Sequence, residues 1–163
     1  MKTRTRTLTI FSLFLGGMLV CCFSGCSSSD EEMITNIAME KAHFEKNLYE
    51  QTGESFQAKG SLEAYKELMK GLTSRKYRSL VCEQEIQENV KERKKARLKD
   101  DNSIDLAAYL TVKNASSHAL ELEEVIRSYE GAAPLITVNG DFASIGNERF
   151  VNERGRWKAC PID

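Results

Sequence analysis

A change of hydrophobic period at Gly131-Ala-Ala-Pro134 constrains this 163-residue chain more than any other feature. Before it, apolar residues recur at helical spacing. After it, they fall in short runs broken by Gly, Asn and Pro. One regular element cannot carry both, because side chains repeat every 3.6 residues on a helix and every 2 on a strand. The expected fold class is α+β: N-terminal helices over about 34–130, then a C-terminal antiparallel β-meander over about 135–160.

The strand half is punctuated clearly. Leu135 to Val138 is strand-like, Asn139-Gly140 is a strong hairpin signal, and Asp141 to Ile145 returns as the partner. Glu148 to Asn152 predicts a third strand, Glu153-Arg-Gly155 a turn, and Arg156 to Cys160 a fourth strand ended by Pro161. Trp157 is the expected core anchor of that last strand.

In the helical half, Ile34, Ile37, Ala38, Phe44, Leu48 and Tyr49 predict a helix from Glu31 to about Gln51. Ser29 with Glu32 forms a capping-box pattern, and Gly53 is the expected stop. Ser61 is the expected N-cap of a second helix, with Leu62, Tyr65, Leu68, Met69 and Leu72 inward. Residues 76–99 predict one long charged helix. A helix from Ile104 to about Lys113 is expected to be capped by Asn102 or Ser103, and another runs from Ser116 or Ser117 to Tyr129.

The N-terminus has a different character. Lys2, Arg4 and Arg6 precede an apolar run from Leu8 to Phe23, which is short for a bilayer core of ~30 Å. A basic start, a short apolar middle and small residues at the end describe a removable export signal. Phe23-Ser24-Gly25-Cys26 resembles the bacterial lipobox, in which small residues precede a cysteine that is acylated and becomes the mature N-terminus. Phe23 departs from the more usual leucine. The resemblance implies a signal peptide over 1–25, lipid on Cys26, a polar tether over 26–33 and a single domain over 34–163. Two or more acyl chains hold a protein stably at a membrane where one holds marginally. Ser27 follows the cysteine where an aspartate would favour inner-membrane retention, so the outer membrane's periplasmic side is the expectation in a two-membrane cell. The competing reading is a transmembrane anchor with an incidental cysteine.

Removing residues 1–25 leaves 138, with 20 basic against 24 acidic side chains. A net charge of about −4 argues against a nucleic-acid partner. The exception is KERKKARLK, Lys91 to Lys99, expected as a solvated helix face or as a contact for anionic lipid or cell-wall polymer. Exported chains meet an oxidising compartment, which makes Cys82 and Cys160 a disulfide candidate, with two buried thiols as the alternative.

The order of elements resembles the nuclear transport factor 2-like superfamily, an α+β cone. The residues that carry this are Phe56 to Met69, Val138 to Ile145, and Asn152 to Cys160 with its Gly-x-Trp-Lys ending. The resemblance implies a concave sheet covered by helices and able to hold a ligand or partner. The charged segment Arg75 to Lys99, the helix from Ser116 and the small number of strands depart from it.

Catalytic constellations are thin. His43 and His118 lie on predicted helices among Lys, Glu, Ser and Ala, and read as surface residues. Glu121, Glu123, Glu124 and Glu130 read as a solvated face, and Asp141 as a turn residue. A calcium loop through Asp101, Ser103 and Asp105 fails, because Leu106 and Val112 stand where glycine and glutamate are required. No metal, cofactor or catalytic residue is expected. The functional expectation is a membrane-anchored, non-catalytic binding or interaction module of the cell envelope, held by lipid on Cys26 and contacting an envelope protein or small ligand. The alternatives are an accessory, assembly or immunity-type lipoprotein of a secretion or conjugation system, and a small cone-fold enzyme. The last predicts a pocket holding an Asp or Glu of raised pKa near a Tyr or His.

Overall fold

The computed structural model describes residues 29–97, 104–132 and 134–161. Cys26, and with it the expected export signal, lies outside them. Six helices precede a four-stranded antiparallel sheet of order β1-β2-β3-β4, so the chain is α+β and the sheet is open.

Helix α1, Asp30–Lys59, spans 30 residues, about 45 Å at 1.5 Å per residue, and most later elements pack against it. The Ser29 hydroxyl accepts the Glu32 N–H at 3.2 Å, half of the expected capping box. Asp30, Glu31 and Glu32 in the first turn complement the helix dipole. The helix therefore begins inside the segment 26–33 expected as tether, and Ile34 is already fully buried. Gly53 does not stop it. A Cβ there would come within 2.6 Å of Ser116 Oγ, so this glycine lets a second helix approach closely. The stop is Gly60, whose φ of +85° and ψ of 176° are accessible to glycine and hardly to other residues.

Helix α2, Ser61–Gly71, turns back with Leu62, Tyr65, Leu68 and Met69 buried as expected. The single helix expected over 76–99 is two. Helix α3, Arg75–Leu80, is capped by Ser74, and α4, Glu83–Arg97, follows after extended residues. Val81 bridges in parallel to Ala159, and the Cys82 N–H donates to the Ala159 carbonyl at 2.8 Å. A sheet edge thus takes backbone groups that a continuous helix would have used. Helix α5, Leu106–Lys113, is capped by Asp105, which accepts the Ala108 N–H at 2.8 Å, in place of Asn102 or Ser103. Helix α6 is Ala115–Gly131.

The strands are β1, Ile136–Asn139; β2, Phe142–Ile145; β3, Glu148–Asn152; and β4, Trp157–Cys160. Asn139 pairs with Phe142, so the two-residue turn is Gly140-Asp141, one step later than the Asn139-Gly140 expected. Gly140 supplies its positive φ of +62°. Ala143, Ile145, Phe150, Trp157 and Ala159 form the inner face against the helices, and Trp157 is the buried anchor foreseen. Its indole N–H donates to Asp30 Oδ1 at 2.9 Å, tying the first turn of α1 to β4.

Candidate functional site

Of the three site residues expected, the structure describes two. Cys82 and Cys160 come together with sulfurs 2.02 Å apart and Cα atoms 5.3 Å apart, a disulfide joining the α3–α4 junction to the last strand. His43 is exposed. His118 is a half-buried helix residue whose ring lies 5.4 Å from that of Tyr49 and whose Nδ1 lies 3.2 Å from Glu121. The described part of the basic segment lies on α4. Glu92 of this stretch reaches Tyr65, one turn into α2, and Arg93 donates to Thr73 Oγ1 at 2.8 Å.

A polar cluster that the sequence reading missed lies in the seam between helices and sheet. Lys41 and Glu45 come from α1, Tyr77 from α3, Glu85 from α4, Glu148 from β3 and Tyr129 from α6. Lys41 Nζ sits 3.2 Å from Glu45 and 3.0 Å from Glu148, whose other oxygen lies 3.3 Å from the Tyr129 hydroxyl. The Tyr77 hydroxyl is 2.6 Å from Glu45 Oε1 and also contacts Glu85 Oε1. The Phe44 ring packs on Tyr77 at 5.4 Å between centroids and closes one side.

Local sequence explains the placement. Lys41 and Glu45 are one helical turn apart and fall on the α1 face that carries Ile34, Ile37 and Leu48. A lysine on an otherwise apolar stripe is a signal for a buried ion pair, and it was legible. Its partner Glu148, 107 residues away, was not.

Electrostatics follow from burial. Desolvation opposes the Lys41 charge, but Glu45 and Glu148 outweigh it and hold its pKa above the ordinary 10.5. Burial, then Glu45 and Glu85, push the Tyr77 phenol upward. Tyr129 is pushed up to about 12 by burial and Glu148. Burial raises Glu85 above the ordinary carboxyl value of 4.5, although Tyr77 and Lys41 pull it down. An acid of raised pKa therefore stands beside a tyrosine, inside the packed seam. Lys41→Met is expected to destabilise the fold by about 2 kcal/mol, read by urea unfolding. That is below the ~3–5 kcal/mol of a fully buried broken pair, because Glu148 is 35% exposed although Glu45 is only 12%. A cost under ~0.5 kcal/mol would show that the two carboxylates do not need the ammonium.

The sheet's other features face outward. Leu135 is 88% exposed and Phe142 55%, and the Arg149 guanidinium lies 5.4 Å from the Phe142 ring centre. Phe142 and Arg149, with Thr137, Ser144 and Glu148, line a groove of about 350 Å³. Among the described residues, no group of His, Cys, Asp and Glu is arranged to hold a metal ion, and no helix is long and apolar enough to cross a membrane. No protein-family model matches the chain, nor does any curated protein or solved structure.

Proposed function

We propose that this chain is a lipid-anchored, non-catalytic interaction module of the cell envelope, with Cys26 as the acylated residue and an extended segment of an envelope protein as its partner. Chain length supports a close tether. Ser29 already caps α1, and three residues span at most ~11 Å, so an anchor at Cys26 would hold the α1 start near the bilayer.

The observation that carries the interaction reading is the inequality of the two sheet edges. The β4 edge is occupied by Val81, the Cys82 N–H and the disulfide. Among the described residues, the β1 edge meets no further strand. In a two-residue hairpin the pair flanking the turn is hydrogen-bonded and the pairs alternate. Asn139 and Thr137 therefore bond β2, while Ile136 and Val138 turn their N–H and C=O groups outward. No charge or proline guards β1, and apolar Leu135 and Val138 flank those groups. An added strand would satisfy them, as in β-augmentation.

The test has two parts. Cys26→Ser should abolish acylation in cells, and acyl labelling that persists in this variant would refute the anchor. A photo-crosslinker at Val138 of the anchored protein should capture one envelope partner that a crosslinker at Gln51 on α1 does not. Equal capture at both positions would refute the edge.

A further inference from the structure

Tyr77 carries one hydroxyl proton, and two carboxylates share its oxygen. Glu45 Oε1 lies 2.6 Å away and Glu85 Oε1 is also in contact. A phenol donates one hydrogen bond at a time and can accept others. One of the two carboxyls must therefore bring its own proton and donate it to the phenol oxygen.

Lys41 decides which. Its ammonium pairs with Glu45 at 3.2 Å and with Glu148 at 3.0 Å, so both keep their charge compensated. Among the described residues Glu85 has no ion-pair partner of its own; its side chain meets Tyr77. We propose that Glu85 is protonated in the folded protein, donating to Tyr77, and that it acts as a latch holding the first turns of α4 to α1 and α3. Loss of the proton opens the latch.

The charge inventory supports this. The titratable groups facing Glu85 are Lys41, Glu45 and Tyr49 from α1, Tyr77 from α3 and Glu148 from β3. Tyr129 from α6 bonds the far side of Glu148. With Glu85 ionised, three carboxylates would face one ammonium. With Glu85 neutral, every contact has a donor: Glu85 to Tyr77, Tyr77 to Glu45, Lys41 to Glu45 and Glu148, and Tyr129 to Glu148. The α4 N-terminus favours an anion at this position, since Glu85 lies in its first turn. Burial works against that and raises the carboxyl.

The sign follows. A folded-state value above the open-state value means that the latch is fully closed below the ordinary 4.5 and weakens as pH rises towards the folded value. Between those two values the opening constant grows about tenfold per pH unit, then levels off. The disulfide at Cys82 keeps α4 tethered at its start, so the change is a local opening. None of this depends on the lipid anchor.

The test uses the full-length chain in neutral detergent micelles, with glutamate carboxyls labelled with carbon-13. One wild-type carboxyl resonance should titrate clearly above 4.5 and vanish in Glu85→Gln. Amide exchange over residues 85–90, corrected for base catalysis, should rise with the same midpoint. Glu85→Gln, whose amide donates to the phenol at every pH, should lose that dependence. Wild-type carboxyls all titrating at or below the ordinary value would overturn the proposal without any variant. A raised resonance that persists in Glu85→Gln would place the proton elsewhere and overturn it too, as would exchange over residues 85–90 that ignores pH.

Discussion

Replacing Cys82 and Cys160 together with alanine is expected to cost about 4 kcal/mol of stability. The bond closes a loop with a sequence separation of 78, and in the chain-entropy model a loop of that size removes roughly this much freedom from the unfolded state. Alanine suits the test because Cys82 is buried and a serine hydroxyl there would add its own penalty. The disulfide sits beside the Cys82 N–H to Ala159 bond and the Val81 bridge, so its loss should also loosen the covering of β4. Urea unfolding of the oxidised protein against the double variant measures the cost. A loss below ~1 kcal/mol, or two alkylatable thiols in the protein isolated under oxidising conditions, would contradict it.

Phe150→Ala is expected to cost as much or more, about 4–5 kcal/mol. The ring is fully buried at the centre of β3, and its cross-strand neighbours are Ala143 on β2 and Ala159 on β4. Small neighbours on both sides make room for the ring, and they cannot extend to fill its space when it is gone. Large-to-small changes are most costly where the site cannot collapse. Against a total stability of ~5–15 kcal/mol, such a loss is a large fraction of the whole. Thermal or urea unfolding reads it directly. A cost under ~2 kcal/mol would mean that helices α1–α3 close over the cavity.

Much of the fold was legible because local physics governs it. Ser29 with Glu32 marked the α1 start through capping, and the apolar face of α2 followed its 3.6-residue period. The change of period at Gly131-Ala-Ala-Pro134 separated helices from strands, and Trp157 stood out as an anchor by size alone. Other boundaries moved because distant partners outweighed local preference. Gly53 looked like a stop and is a close-approach point for Ser116 on α6. Residues 76–99 looked like one helix because nothing nearby in sequence announces that Val81 and Cys82 belong to β4's edge.

The same division runs through the candidate sites. The cysteine pair could be inferred from chemistry and count, since an isolated pair with no CxxC spacing has few other uses. The polar seam could not. Lys41 alone carried a sign, by its place on an apolar stripe; Glu45, Tyr77, Glu85, Tyr129 and Glu148 each read as solvated when taken singly. Composition, periodicity and turn chemistry by themselves determined the α+β order, the helix faces and the strand run, because those depend on neighbours within a few residues. Tertiary structure alone decided which sheet edge is sealed and which is open, and which glutamate must share a proton with Tyr77. Both are set by contacts between residues far apart in the chain, where only the packed fold defines the distance and the dielectric.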